Sequence, residues 1–204
     1  MFSPGYLVST PPREASELSP AQIAKRDRII ATAVDVLLAD GVHGCTVRAI
    51  AQHAGVSKGT VHYYFDDVDQ IVDAAMLRAT EAWITWLSHA SESGVDGAEH
   101  FWYAIDASLA PFASGDRAVM PLWLEYWAMR VRAGDCATLV GMQQLLSSFV
   151  GDLLKSTGVD RVEEKAVGVT AYLFGIAMQE SNGPIDATMV HRHVAAICGL
   201  QVGR

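Results

Sequence analysis

The sequence predicts an all-α protein built from several helices joined by short polar turns. Apolar residues make up half of the 204 residues and recur at intervals of three and four along most of the chain. No segment alternates convincingly with the period of two that a half-buried strand needs. Glycine, serine and proline separate the periodic stretches, as at Ser114-Gly115 and Gly183-Pro184. We therefore expect helices at about 19–40, 47–53, 57–64, 68–90, 98–113, 117–132, 136–156, 161–181 and 186–199.

The leading helix has a clear start and end. Ser19 precedes Pro20, and Gln22 stands three residues after the serine, which is the arrangement of a capping box. Asp40-Gly41 is expected to end the helix. Its predicted buried residues are Ile23, Ile30, Ala33, Val34 and Leu37. Three basic residues on its outer surface could contact phosphate or simply face solvent: Lys25, Arg26 and Arg28.

The next stretch predicts a helix, a tight turn and a second helix. Thr46 is the expected N-cap of a short helix that ends near His53. Gly55 allows a sharp turn because glycine adopts positive φ without steric cost. Ser57 then caps the second short helix. Three residues of the first helix recur at helical spacing and should face inward: Val47, Ile50 and Ala51.

The second short helix is expected to present a polar side to another molecule. Val61 and Phe65 are four residues apart, so they should form its buried edge. Gly59 and Tyr63 then point away from the core, where the glycine permits close approach to another surface. There is no carboxylate between Asp40 and Asp66, although the chain carries a net charge of -8. Because a polyphosphate surface disfavours acidic groups, this carboxylate-free window between Asp40 and Asp66 predicts contact with DNA.

The side chains of this helix have the chemistry that DNA contact needs. Hydroxyl and imidazole groups can bond phosphate oxygens or base edges, and an ammonium can pair with a phosphate. The predicted DNA-binding residues are Ser57, Lys58, Gly59, Thr60, His62, Tyr63 and Tyr64. The alternative is that the tyrosines and the histidine are ordinary surface residues of a short amphipathic helix.

At this point the chain resembles the DNA-binding domain of TetR-type bacterial repressors, from Arg26 to about Met76. The matching residues are Ile29, Ala33, Gly41, Thr46, Ile50-Ala51, Ala54-Gly55-Val56-Ser57, Gly59-Thr60, His62, Tyr64-Phe65 and Ile71. The resemblance implies that Thr46 and Arg48 brace the first short helix on the DNA backbone, and that Ser57 to Tyr64 form the recognition helix. One position departs from the family, because Val68 stands where a phosphate-binding lysine is usual.

Composition narrows the class of protein and its surroundings. A pI near 5.2 argues against a protein that coats nucleic acid without specificity, but it allows one positive face. Three widely spaced cysteines do not suggest a disulfide framework. No apolar run is long enough to span a bilayer, and no secretory signal is present, so we expect a cytoplasmic protein. The expected divisions are a flexible tail at 1–18, a helix-turn-helix domain at 19–66 and a helical effector-binding and dimerisation domain at 67–204.

Large side chains concentrate in the middle of the chain. All five tryptophans lie between residues 83 and 127. Aromatic walls with a few polar groups are typical of cavities that bind small molecules, although packed core is the alternative. The predicted ligand-binding residues are Trp83, Trp86, Trp102, Trp123, Tyr126, Trp127, Phe174 and Met178. Polar contacts could come from Asp106, Glu125, Gln143 or Gln179.

The helices at 161–181 and 186–199 are the expected dimer interface. Small residues form a stripe on the first: Val162, Ala166, Val169, Leu173 and Ala177, with Gly168 and Gly175 nearby. A second apolar stripe contains Ile185, Met189, Val190, Val194 and Ile197. The family resemblance implies that the two helices pair with their copies in a homodimer. The alternative is burial within one subunit.

We expect neither catalysis, nor a cofactor, nor a metal site. The sequence holds no nucleophile, histidine and acid at a signature spacing and no phosphate-cradling glycine loop. His191 and His193 would point to different sides of a helix, and His43 with Cys45 is a weak candidate for a sensor. The predicted function is a transcriptional regulator that acts as a repressor and is released from a palindromic operator by a small apolar or aromatic effector. The alternatives are an activator without a ligand and a helical small-molecule binding protein that does not act on DNA.

Overall fold

The computed structural model describes residues 18–91, 98–113, 119–179 and 185–200. Within those ranges the chain forms helices and no strand, so the predicted all-α class is confirmed. The helices are α1 Pro20–Gly44, α2 Val47–Ala54, α3 Lys58–Tyr64, α4 Val68–Ser91, α5 Ala98–Ala113, α6 Val119–Ala133, α7 Ala137–Lys155, α8 Val162–Gln179 and α9 Ala187–Cys198. The predicted tail and the turns at Ser114-Gly115 and Gly183-Pro184 lie outside the described residues, apart from Leu18. None of the described helices combines the length and apolarity that crossing a membrane requires.

Contacts divide the chain into two compact units that meet between Met76 and Leu77, inside α4. The first contains α1, α2 and α3, and the second contains α5 to α9. The divisions that the sequence suggested at residues 18 and 66 stay a proposal.

The start of α1 is the predicted capping box. Ser19 Oγ accepts a hydrogen bond from the backbone N–H of Gln22, and Gln22 Oε1 accepts one from the backbone N–H of Ser19 at 2.8 Å. Gly41 has a φ of 69° inside the helix, so the regular helix is interrupted where the sequence predicted its end. One further helical turn then leads to Gly44.

The buried face of α1 differs in part from the prediction. Ile23 is 38% exposed, so its predicted burial was wrong, and Val34 is only half-buried. Both lie about 80–100° around the helix from Ala33, on the flank of the buried stripe. The stripe itself contains Ile29, Ile30, Ala33, Val36 and Leu37.

The turn between α2 and α3 follows the sequence closely. Thr46 Oγ1 accepts from the backbone N–H of Ala49 at 3.1 Å, and Ser57 Oγ accepts from the backbone N–H of Thr60 at 3.0 Å. Gly55 ends α2 in the left-handed conformation, with a φ of 64°. Ile50 and Ala51 are buried, and α2 packs against both α1 and α3.

The second unit has its own core, and its predicted helices agree closely with those observed. The core joins buried residues of α5, α7, α8 and α9, among them Phe101, Leu154 and Val194. Ala166 and Val169, from the predicted dimer stripe of α8, are buried in this core, and Val190 and Val194 of α9 are buried with them. These stripe residues therefore contribute to the core of the subunit, and the pairing of α8 and α9 with a second copy stays a prediction.

We expect Gly55→Ala to destabilise the first unit by about 1 kcal/mol, because alanine at positive φ is strained. Differential scanning calorimetry of the full chain would measure the loss as a lower unfolding temperature.

Gly59→Ala is the matched control. Gly59 is helical, and a Cβ there would meet Ser57 Oγ at an ordinary 3.7 Å. Alanine should then raise stability by about 0.5–1 kcal/mol through helix propensity. Equal effects of the two substitutions would contradict the assigned role of the turn.

Candidate nucleic-acid interface

The orientation of α3 is fixed by its buried edge. Val61 is 0% exposed and Phe65, which follows the helix, is 2% exposed. On the opposite side Gly59 is exposed and Tyr63 is 49% exposed, as the spacing predicted. The outward face of α3 is therefore open to a large partner.

The hydroxyl groups at the helix starts are partly occupied by the fold. Ser57 Oγ caps α3 and also lies 2.9 Å from Thr60 Oγ1, so one of these two hydroxyls donates to the other. Thr46 Oγ1 is likewise engaged as the cap of α2. These groups hold the backbone in place, and each hydroxyl oxygen keeps further bonding capacity for a phosphate.

Three predicted contact residues carry exposed side chains that can extend into solvent. They are Arg48 on α2, and Lys58 and His62 on α3. All lie in the carboxylate-free window between Asp40 and Asp66. Two cations and an imidazole, all exposed in a segment of sequence without acidic residues, favour an anionic partner.

The two tyrosines of α3 form a defined pair. Their ring centroids are 4.9 Å apart and the rings meet edge to face at 87°. The hydroxyl of Tyr63 also accepts a hydrogen bond from Gln22 Nε2 of α1 at 2.8 Å. Sequence reasoning used Gln22 only as a helix cap and missed this contact. The capping box held a signal for it, because a capping glutamine keeps its amide hydrogens free for another acceptor.

Two basic residues of α1 lie against the helix-turn-helix. The guanidinium of Arg26 stacks over the ring of Phe65, 5.0 Å from its centroid. Arg28 Nη2 reaches the turn, 3.6 Å from the position that a Cβ on Gly55 would occupy. Arg28 remains exposed, which leaves its charge available beside the turn.

The start of α4 is occupied by acidic residues. Asp67 Oδ1 accepts from the backbone N–H of Gln70 at 2.9 Å, and Asp66 Oδ2 accepts from Gln70 Nε2 at 3.0 Å. The N-terminus of α4 is thus capped by the chain itself. Two carboxylates at this position disfavour a phosphate there, in keeping with Val68 in place of a lysine.

Cys45 is enclosed by the fold of the first unit. It is 4% exposed, and burial raises the pKa of its thiol to about 11. A protonated thiol is a poor nucleophile and a poor metal ligand. His43 beside it in the chain is exposed. The two residues therefore offer little support for a redox or metal sensor.

The predicted ligand-binding residues fall into separate groups in the second unit. Trp83 stacks on Trp86 with centroids 5.0 Å apart, and Trp123 meets Phe174 edge to face at 5.9 Å. Trp102 is buried and lies against the ring of His191. Tyr126 is fully buried, whereas three others are about half exposed: Trp86, Trp127 and Met178.

The four residues predicted to make polar contacts with a ligand also differ in their surroundings. Asp106 is bound to His191 Nε2 at 2.7 Å, and the remaining three are exposed: Glu125, Gln143 and Gln179. A groove of about 340 Å³ lies between α7 and α8, lined in part by Gln144, Ser147 and Val167, and includes none of the eight predicted residues. A ligand site formed by the aromatic residues stays a prediction.

Comparisons with known proteins agree with this geometry. A family model for bacterial regulatory proteins of the tetR family matches residues 29–75, which span most of α1, all of α2 and α3, and the start of α4. The HTH-type transcriptional regulator BetI of Escherichia coli (strain SE11) is 27% identical over 178 residues, or 83% of this chain and 90% of that protein.

Solved structures share the fold. A transcriptional regulator from Streptomyces coelicolor A3(2) has a TM-score of 0.69 at 20% identity, covering 85% of this chain and 98% of its own. The multidrug binding protein EbrR, complexed with imidazole, has a TM-score of 0.66 at 24% identity, covering 87% of this chain and 96% of its own. The family model over residues 29–75 and the likeness to BetI support the TetR family of bacterial transcriptional regulators, and the solved structures show the shared fold.

Proposed function

We propose that this regulator is a dimeric repressor that reads a palindromic operator with α3 and releases it when a small apolar or aromatic molecule binds the second unit. The observation that carries the proposal is the outward face of α3. Gly59 and Tyr63 are exposed there, in a window without carboxylates, while Val61 and Phe65 hold the opposite edge in the core.

The face of α3 suits a major groove. The groove admits one helix, and Gly59 on the outward face of α3 lets the backbone come close to the base edges. Lys58 and Arg48 can pair with phosphates on either side, while hydroxyl groups bond phosphate oxygens or bases. Resemblance to the family supports the same residues, including the bracing roles of Thr46 and Arg48.

Dimerisation would supply the second recognition helix. A palindrome requires two such helices about 34–36 Å apart, one for each half-site. Since the buried members of the α8 stripe face the core of the subunit, we propose the exposed side of α8 as the interface. Val167 and Met178 are 48% and 47% exposed there, and the exposed Ala171 and partly exposed Gly175 lie between them. This small-residue surface allows close helix approach.

An effector would act by binding one arrangement of the protein better than another. A ligand can shift an equilibrium only by its differential affinity for the two states. The stack of the partly buried Trp83 on the exposed Trp86 supports an aromatic or apolar ligand, because flat rings pack against such a molecule. EbrR, a structural neighbour, is described as a multidrug binding protein, which fits this ligand class.

Footprinting on the DNA that flanks its own gene would test the proposal. We expect two protected half-sites about 10–10.5 base pairs apart or at a multiple of that spacing, with steeply salt-dependent affinity. In cells from which the gene for this protein is deleted, we expect stronger transcription from the same DNA fragment, because repression is lost. Activation instead of repression would correct the sign of regulation, and the absence of DNA binding would remove the proposal.

Lys58→Ala should weaken binding to all DNA sequences alike and reduce the slope of log affinity against log salt by about 0.9, the value for one lost phosphate contact. Fluorescence anisotropy titrations at several salt concentrations would measure both quantities. Lys155→Ala, which removes an exposed lysine paired with Asp152 on α7, is the control and should leave the slope unchanged. Equal slopes for all three proteins would exclude Lys58 from the interface.

Gly175→Glu should convert the dimer to a monomer, because a charge would be buried against the second copy. A Cβ at Gly175 meets nothing within 4 Å in the subunit, so the subunit itself should stay folded. Gly141→Glu on α7 is the matched control, since that position is equally open. Sedimentation equilibrium would give the masses, and a dimeric Gly175→Glu protein would place the interface elsewhere.

Trp86→Ala should weaken binding of small aromatic compounds by about tenfold or more, the order of one lost ring contact with its buried area. Tyr103→Ala is the control, because Tyr103 on α5 is 49% exposed, close to the 45% of Trp86. Titration calorimetry with a compound that lowers operator affinity would measure the change. If Trp86→Ala leaves the ligand affinity unaltered, the tryptophan pair is not part of the effector site.

A further inference from the structure

One hydrogen bond joins the first turn of α1 to the outward face of α3. Gln22 Nε2 donates to the hydroxyl of Tyr63 at 2.8 Å, although the two residues are 41 positions apart. We infer that Gln22 is a positioning residue for DNA recognition, which holds the phenol of Tyr63 so that its hydroxyl hydrogen is presented to DNA as a donor. The inference rests on the proposed function of α3.

The orientation of the Gln22 amide follows from its second partner. Its Oε1 accepts from the backbone N–H of Ser19 at 2.8 Å. A backbone N–H can only donate, so the oxygen of the amide must face Ser19 and the nitrogen must face Tyr63. The capping box therefore determines which end of the amide meets the phenol.

This orientation sets the role of the phenol. An amide nitrogen has no acceptor capacity, so the Tyr63 oxygen must accept in this bond, and its own hydrogen remains available. The groups exposed on DNA that match a donor are phosphate oxygens and the base acceptors of the major groove. A hydroxyl that accepts one bond is polarised and donates the next one more strongly.

The contact also restricts an otherwise mobile side chain. Tyr63 is 49% exposed, and a ring in that setting would ordinarily sample several rotamers. Gln22 holds its hydroxyl from one side, and the edge-to-face contact with Tyr64 holds its ring from another. A side chain already ordered before binding loses less entropy when DNA arrives.

A double-mutant cycle separates this role from a structural one. The probe is a duplex that the parent chain selects from a pool of randomised DNA. We expect Tyr63→Phe to weaken binding about 5-fold to 10-fold, the effect of one lost hydrogen bond. Gln22→Met should weaken it about 3-fold alone and have no further effect in the Tyr63→Phe background. Equal losses from Gln22→Met in both backgrounds, or no loss in either, would overturn the inference.

Two further variants guard against effects on folding and on charge. Gln22→Glu keeps the capping box but cannot donate to the phenol, so its loss in affinity should be larger with Tyr63 present than with Tyr63→Phe. An equal loss would report the added charge alone and contradict the positioning role. Ser19→Ala removes the cap hydroxyl but keeps the backbone N–H that orients Gln22.

Ser19→Ala should therefore lower the unfolding temperature and leave the affinity for the selected duplex unchanged. An affinity loss matching that of Gln22→Met would instead assign the effect to the stability of the helix start. If the parent chain selects no duplex at all, the proposed function itself fails, whereas a selected duplex with an additive cycle removes only the role of Gln22.

Discussion

The burial of Val61 and Phe65 is the constraint on which the proposed DNA-reading surface depends. The two residues are 0% and 2% exposed, and together they fix the rotation of a helix of only seven residues. A helix this short has little stability of its own, so its position comes from packing and caps. Once that edge is in the core, the helical period alone places Gly59 and Tyr63 outward. Recognition chemistry is in this sense a consequence of apolar packing on the opposite side.

The features that the sequence predicted well are local ones. Caps at Ser19, Thr46 and Ser57 depend on residues three positions away, and the turn at Gly55 depends on one residue's φ. Helical periodicity predicted burial less reliably for residues on the flanks of an apolar stripe, as the exposure of Ile23 on α1 demonstrates. A residue on the flank of a stripe is buried only if a neighbouring element reaches it, and that depends on the tertiary structure.

Contacts between distant segments could not be predicted from the pattern. The small-residue stripe containing Ala166 and Val169 signals an apolar partner, but periodicity does not distinguish a helix of the same subunit from one of a second copy. The clustering of tryptophans in sequence likewise does not determine whether Trp102 is buried in core or Trp86 is exposed. Gln22 joins Tyr63 across 41 residues, a distance at which only the fold decides proximity.

The acidic start of α4 limits where the positive charge of a DNA contact can reside. Helix N-termini attract anions through their free N–H groups, but here the N–H of Gln70 is taken by Asp67 and the amide of Gln70 by Asp66. A phosphate at this position would meet two carboxylates instead of a lysine. Among the described residues, the proposed DNA contact then depends on α1, α2 and α3, where Arg28, Arg48 and Lys58 are exposed. In the proposed complex these cations would pair with phosphates, and uncharged donors such as the Tyr63 hydroxyl would add hydrogen bonds to phosphate oxygens or base acceptors.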